Sequence, residues 1–269
     1  TTAGGTVATD IIPPHRRGEG MGYFGLSGNI AMAFGPALAL ALVSLIDFPK
    51  LFMLAAGCGA VAFLLASFIH YRQVEHTEVP RKKWDVFEKA ALQPALLLFF
   101  ITTAFGGIAT FLPLYTEQQG VAGIEWYFFF FATSMMITRT FSGRIYDLKG
   151  HRAVFIPGAS LIICAMLFLT FLSSEWMLIV AALMYGTGFG AVQPALMAWA
   201  IDRAPHNRKG MANATFFSAM DLGVGFGAIV FGFIANAFSY NSVYATSALF
   251  VSLSIILYVI ILRKEKDTK

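Results

Sequence analysis

Charge is what this sequence has least of. Asp, Glu, Lys and Arg make up 13% of its 269 residues, while hydrophobic residues make up 57%. A water-soluble domain carries roughly 25% charged residues, so this chain has too little charge to cover a globule of its size. A soluble enzyme or binding module is excluded on that ground, and the mean hydropathy of +0.68 points the same way. Cysteine is also scarce. Cys58 and Cys164 each sit inside an apolar run without ligand spacing, which leaves no disulfide framework and no zinc site. His15, His70, His76, His151 and His206 lie in or beside polar connections and form no metal set. No Gly-Lys-Ser/Thr follows the glycine-rich stretches, so no ATP site is indicated. No nucleophile–base arrangement is visible, so the chain reads as a non-enzyme that needs no cofactor and no metal. The first twelve residues, Thr1–Ile12, read as the end of an apolar helix already in progress, so further residues are expected upstream.

What the sequence does have is long charge-free runs. They cover Met21–Ile46, Leu51–Tyr71, Ala90–Thr116, Ala153–Ser174 and Trp176–Ile201. Each reaches the roughly 20 residues that carry an α-helix across about 30 Å of hydrocarbon. A shorter run starts at Trp126, meets Arg139 and ends near Ser142. The last, Met211–Leu262, contains Asp221 as its single charge and is too long for one span. The polar stretch Asn236–Ser242 divides it in two. The reading is an all-α, polytopic membrane protein with about eight complete transmembrane helices and the end of a ninth. Transmembrane strands alternate apolar and polar residues over roughly 10 positions, and these continuous runs do not.

The connections fall alternately on two sides. One side holds the segments around 13–20, 72–89, 143–152 and 202–210 and the tail from 263. With Arg139 at its edge, it takes all of the 19 Lys and Arg residues except Lys50. The net charge of +4 therefore speaks for orientation and not for nucleic acid. The positive-inside rule places these basic loops and the C-terminus in the cytoplasm of a cell membrane.

Asp10-Ile-Ile-Pro-Pro-His-Arg-Arg-Gly18 resembles Asp202-Arg-Ala-Pro-His-Asn-Arg-Lys-Gly210, an offset of 192 residues. The register continues into the next span: Phe24 matches Phe216, Phe34 matches Phe226, Gly35 matches Gly227, and Asn29 falls opposite Asp221. Both copies enter a span from the basic side. The chain thus reads as a parallel repeat of two halves, an arrangement of transporters that bind substrate between the repeats.

The segment Ser142-Gly-Arg-Ile-Tyr-Asp-Leu-Lys-Gly-His-Arg152 resembles the short cytoplasmic loop of the major facilitator superfamily, G-x-x-x-D-x-x-G-x-R, through Gly143, Asp147, Gly150 and Arg152. The family carries this loop between its second and third helices, with a second copy between the eighth and ninth. The resemblance, with the repeat, makes this loop the second copy and the eight spans the family's fifth to twelfth helices. It implies roughly 120 residues upstream, at about 20 per span plus loops. The implied divisions are 1–71 for the remainder of an N-terminal half, 72–89 for a central linker, 90–262 for a six-helix C-terminal half, and 263–269 for a tail. Gly22, Gly35 and Pro36 resemble the fifth-helix signature of drug/proton antiporters. Ala31 stands for its second Gly, and Ala39 and Leu40 for its final pair. In the family, the loop acid and arginines resemble a gate latch. Asp147 would meet the N-terminus of a helix in the opposite half, by symmetry the one beginning near Gly20.

Asp221 is the only acid well inside an apolar run. A carboxylate near mid-bilayer is costly and is a functional candidate by default. It reads either as a proton-coupling or cation site, with Asn29 at matching depth, or as a structural acid paired with Arg139. Arg139 itself reads preferentially as a cation snorkelling to the interface. Gln193, Thr110, Phe111, Tyr115, Tyr185 and Phe217 are candidates for a substrate cavity. The expected function is proton-coupled secondary transport of small organic or drug-like molecules, in the export direction, by a protein that is monomeric in the bilayer. The alternatives are an uptake permease for a sugar, metabolite or metallophore, and, in a different class, a membrane-embedded enzyme or receptor.

Overall fold

A computed structural model describes residues 2–16, 19–21, 23–25, 28, 31, 42, 45–68 and 87–267. Among them the chain is helical, without a strand. A short helix α1 covers Thr2–Ile11 and α2 covers Phe48–Ser67. Then follow α3 (Leu92–Gln119), α4 (Ile124–Lys149), α5 (Arg152–Thr170), α6 (Glu175–Arg203), α7 (Lys209–Ala237) and α8 (Tyr240–Asp267). Six of these helices, α2, α3, α5, α6, α7 and α8, are long and apolar enough to cross a membrane. The helix α4 has the length, at 26 residues, but carries Glu125, Arg139, Arg144, Asp147 and Lys149. The expected span Met21–Ile46 lies mostly outside the described residues, as does most of the linker 72–89.

Helix ends follow local chemistry. The helices α3 and α4 both stop at glycines in a positive-φ conformation, Gly120 at φ 64° and Gly150 at φ 75°, where a side chain would be strained. Pro49 opens α2, where its missing N–H costs no intrahelical bond. The carbonyl of Thr170, near the end of α5, accepts from the Asn241 amide at 2.9 Å and from the Tyr115 phenol at 3.4 Å. Orphan carbonyls at a helix end need such donors.

The six helices α3–α8 pack as one bundle. The helix α6 lies between α4 and α5 with glycines toward both. A Cβ at Gly186 would run into the Phe131 carbonyl and the Ser134 hydroxyl of α4, and one at Gly190 would lie 2.7 Å from the Met135 carbonyl. On its other side, Gly188 and Gly158 of α5 face each other's backbone. The helix α7 approaches α3 in the same way through Gly223 and Gly227 against Thr102 and Thr103, with Gly106 of α3 against its backbone. Lipid supplies no hydrophobic drive between helices, so close backbone approach at small residues holds such bundles together. Gly232 makes only ordinary contact with Phe111, at 3.5 Å. Outside, large apolar side chains such as Phe233 (72% exposed) and Leu222 (64%) cover the bundle. The helix α2 has no buried residue and presents apolar groups all round, as a helix in hydrocarbon does.

The repeat has a structural counterpart. The helix α1 ends at Ile11 and α6 at Arg203, and each is followed by a 3-10 turn, Pro14–Arg16 and His206–Arg208. Both pairs of boundaries differ by the offset of the sequence repeat. The basic loops meet at one end of the bundle. There Glu88 pairs with Arg208, the Glu88 backbone N–H donates to the Thr215 hydroxyl at 2.9 Å, and Tyr146 donates to Asp202 at 2.8 Å.

Candidate functional site

At this basic end the bundle meets the residues that precede α2. Gly5 of α1 rests on Asn213 and Phe217 of α7, where even a Cβ would lie 3.5 and 3.6 Å away. The Glu19 backbone N–H donates to Asp147 Oδ2 at 3.2 Å. Residues 19–21 are helical, so the carboxylate of α4 accepts from the backbone of a helical segment outside the bundle. Glu19 is in turn held by Arg16 at 2.9 Å. Of the other loop-signature residues, Gly143 is buried on α4, Gly150 ends α4, and Arg152 is exposed at the first position of α5. Asp147→Ala removes this tie across the seam. In a background with Cys58 and Cys164 changed to Ser, maleimide should label Gly5→Cys about fivefold faster when Asp147→Ala is added, as expected for loss of about 1 kcal/mol. An unchanged rate would mean that the tie does not hold the seam closed.

Deeper in the bundle, Arg139 is 4% exposed. It does not snorkel. The helix α4 continues ten residues beyond it to Lys149, about 15 Å at 1.5 Å per residue. Its guanidinium donates to the Gln193 side-chain carbonyl on α6. The Gln193 amide donates to the Met220 sulfur on α7 at 3.2 Å. Gly25 makes room for the cation from outside the bundle, since a Cβ there would occupy the place of the guanidinium. One polar chain thus links α4, α6 and α7 beside the residues that precede α2.

Aromatic rings form a layer next to this chain. Phe105 of α3 stacks on Phe131 of α4 at 5.9 Å and on Phe189 of α6 at 5.8 Å, and Tyr185 stacks on Phe189 at 6.0 Å. Their interplanar angles are 27°, 17° and 12°. Tyr185, Phe189 and Gln193 follow one another at i, i+4 and i+8 along α6, so they share one face. Phe105, Phe189 and Met220 were not among the candidates named from the sequence. The four-residue spacing from Gln193 back to Phe189 was the available signal.

Asp221 follows Phe217 by one turn on α7, on the side that α1 approaches. It is exposed, and among the described residues it makes no hydrogen bond or ion pair. The pairing with Arg139 considered above is therefore not present. Asn29, Gly22, Gly35 and Pro36 lie outside the described residues. The remaining cavity candidates divide. Gln193 and Tyr185 belong to the polar chain and the aromatic layer, and Phe217 lies in the seam. Tyr115 is wholly buried inside the bundle, 5.3 Å from the Tyr244 ring, with its phenol on the Thr170 carbonyl. It packs helices and does not line the seam. Phe111 packs on Tyr240 at 6.3 Å, and Thr110 is exposed on α3. Among the described residues no group of His, Cys, Asp and Glu could hold a metal ion.

Comparison with known proteins places this arrangement. The family model of the Major Facilitator Superfamily matches residues 1–174 and, overlapping them, 121–269. An uncharacterized MFS-type transporter of Methanocaldococcus jannaschii is 26% identical over 93% of this chain and 68% of its own length. The human organic anion transporter MFSD10 superimposes with a TM-score of 0.76 at 16% identity, over 94% of this chain and 66% of that one. The Escherichia coli fucose:proton symporter FucP superimposes with a TM-score of 0.68 at 16% identity, over 95% of this chain and 72% of that one. The chain thus spans about two thirds of the length of these proteins. A helical membrane bundle, a duplicated architecture and two matches that together cover every residue lead to one conclusion: this chain belongs to the Major Facilitator Superfamily, a family of membrane transporters and not of enzymes.

Proposed function

We propose that this chain serves proton-coupled secondary transport of small organic molecules, in the export direction, by alternating access between two halves. The halves include residues 1–71 and residues 90–262, joined by the linker 72–89 and followed by the tail 263–269. One observation carries the reading: the buried Arg139–Gln193 pair lies beside a stacked aromatic layer and against Gly25. Flat rings and a fixed cation with an amide suit a planar organic molecule bearing polar groups. Asp221, exposed inside an apolar run, supplies a carboxylate that can take up and release a proton as the halves rock. The basic loops and C-terminus face the cytoplasm of the cell membrane, by the distribution of Lys and Arg. The partners are a small-molecule substrate, protons and the lipid bilayer, with the protein acting as a monomer. The resemblance of Gly22, Gly35 and Pro36 to the antiporter signature favours export.

A second reading, proton-linked uptake, draws on the fold shared with FucP, which is described as a fucose:proton symporter. The two differ in sign. In vesicles containing the purified protein, an imposed pH gradient should drive a planar fluorescent dye against the proton flow at least tenfold faster than a collapsed gradient. Movement with the proton flow would support uptake. Equal flux with and without the gradient would remove proton coupling altogether.

A further inference from the structure

We propose that the substrate is an aryl carboxylate, whose carboxylate takes the place of the Gln193 carbonyl on Arg139 while its ring lies against Phe105. This rests on the transport reading and names the substrate class of that same site. The geometry comes from two helices in register. Phe131 of α4 packs on Tyr185 of α6 at 5.7 Å, and Arg139 of α4 bonds to Gln193 of α6. Both pairs are separated by the same 54 residues, so α4 and α6 run side by side in one direction. The aromatic level and the polar level are successive steps along one track. Phe189 lies one turn from Gln193 on α6, about 6 Å along the axis. Phe105 reaches this level from α3 and stacks on Phe189 at 5.8 Å with an interplanar angle of 17°. Phe105, Gln193 and Met220 are only partly buried, so the track keeps an accessible side.

Charge sets the sign of the guest. Arg139 is a cation held in an apolar interior, where the low dielectric magnifies repulsion of a second cation and attraction of an anion. The bonds that Gln193 makes are of a kind a carboxylate can replace. Its carbonyl is a neutral acceptor on the guanidinium, whereas a carboxylate matches the planar fork and adds the attraction of opposite charges. Its amide N–H donates to the Met220 thioether at 3.2 Å, a weak acceptor. Turning that N–H toward a carboxylate oxygen exchanges a weak bond for a strong one. The aromatic level sets the rest of the guest. A ring laid on the exposed part of Phe105 extends a stack that is already ordered, and offset parallel rings attract beyond their buried area. A short aliphatic arm between ring and carboxylate covers the single turn from Phe189 to Gln193.

Equilibrium binding to the purified protein in detergent tests this without relying on flux. Phenylpropionate should bind about tenfold tighter than its neutral amide, phenylpropionamide, and than the cation phenylpropylamine. Cyclohexanepropionate keeps the charge and the bulk but has no ring face, and should bind about fivefold more weakly than phenylpropionate. This panel needs no variant. Arg139→Lys then keeps the charge and loses the fork, and should weaken phenylpropionate about tenfold while leaving the weak binding of the amide unchanged. Phe189→Leu should erase the preference for phenylpropionate over cyclohexanepropionate. Binding of the amide or the amine as tight as that of phenylpropionate, or no binding of phenylpropionate, would overturn the proposal. The transport reading fails by a different result, the absence of gradient-driven dye flux in vesicles. Dye flux that phenylpropionate does not inhibit would leave transport standing and overturn the aryl carboxylate.

Discussion

Changing Asp221 to Asn should abolish pH-driven flux in vesicles while leaving the bundle folded. The reasons are local. Asp221 lies twelve residues into α7, about 18 Å along a helix that spans the membrane. A carboxylate at such depth is costly unless it has work to do or a partner to neutralise it. The structure provides no partner: Asp221 makes no ion pair or hydrogen bond among the described residues, and Arg139 bonds to Gln193 instead. Asn has nearly the same shape, so packing of α7 on α3 through Gly223 and Gly227 is untouched. Only the ability to carry a proton is lost. Flux driven by an imposed pH gradient should fall more than tenfold, while exchange of substrate across the membrane without a gradient persists. Coupled flux at the normal rate in Asp221→Asn would eliminate this residue as the coupling site.

The largest structural effect should come from Gly186→Val. Its Cβ would meet the Phe131 carbonyl and the Ser134 hydroxyl. A flexible side chain could turn aside, but a carbonyl fixed in α4 cannot. Inserting bulk into a packed interior costs typically 1–3 kcal/mol, and here whole helices must part. The same movement would separate Gln193 of α6 from Arg139 of α4 and break that hydrogen bond to a buried cation. Less than a tenth of the normal yield of monodisperse protein should survive size-exclusion chromatography in detergent. Gly225→Ala is the control. No atom lies within 4 Å of a Cβ at that position, and Ala is the better helix former by about 1 kcal/mol. A normal yield of Gly186→Val would show that α4 and α6 do not depend on this contact.

Much of the fold was legible in the residues because bilayer physics writes itself into composition. Charge-free runs marked the helices, and the 192-residue repeat located equivalent helix ends at Ile11 and Arg203. The end of α4 was not legible. Its last turns are charged, so Trp126–Ser142 looked like the whole span, and Arg139 looked close to the interface. What decides its position is tertiary: the continuation of α4 to Lys149, the facing Gln193, and the space at Gly25. None of these is a property of neighbouring sequence. Tyr115 misled for a similar reason. An aromatic residue with a polar tip suits a cavity and a helix-end carbonyl equally well, and only the partner Thr170 distinguishes them. Gln193 was recognisable because an amide facing lipid is costly whatever surrounds it.

The glycines of α6 have a mechanical meaning. Gly186 and Gly190 bring its backbone onto α4, and Gly188 brings it onto α5. Three main chains in direct contact leave no layer of side chains to shear, so these helices move as a single stiff block. The seam with the residues before α2 is built differently: among the described residues, Gly5 rests on the side chains of Asn213 and Phe217, and the Glu19 backbone N–H donates to Asp147. Compliance is therefore concentrated along that line, and a change of shape would spend its strain there and leave the block intact.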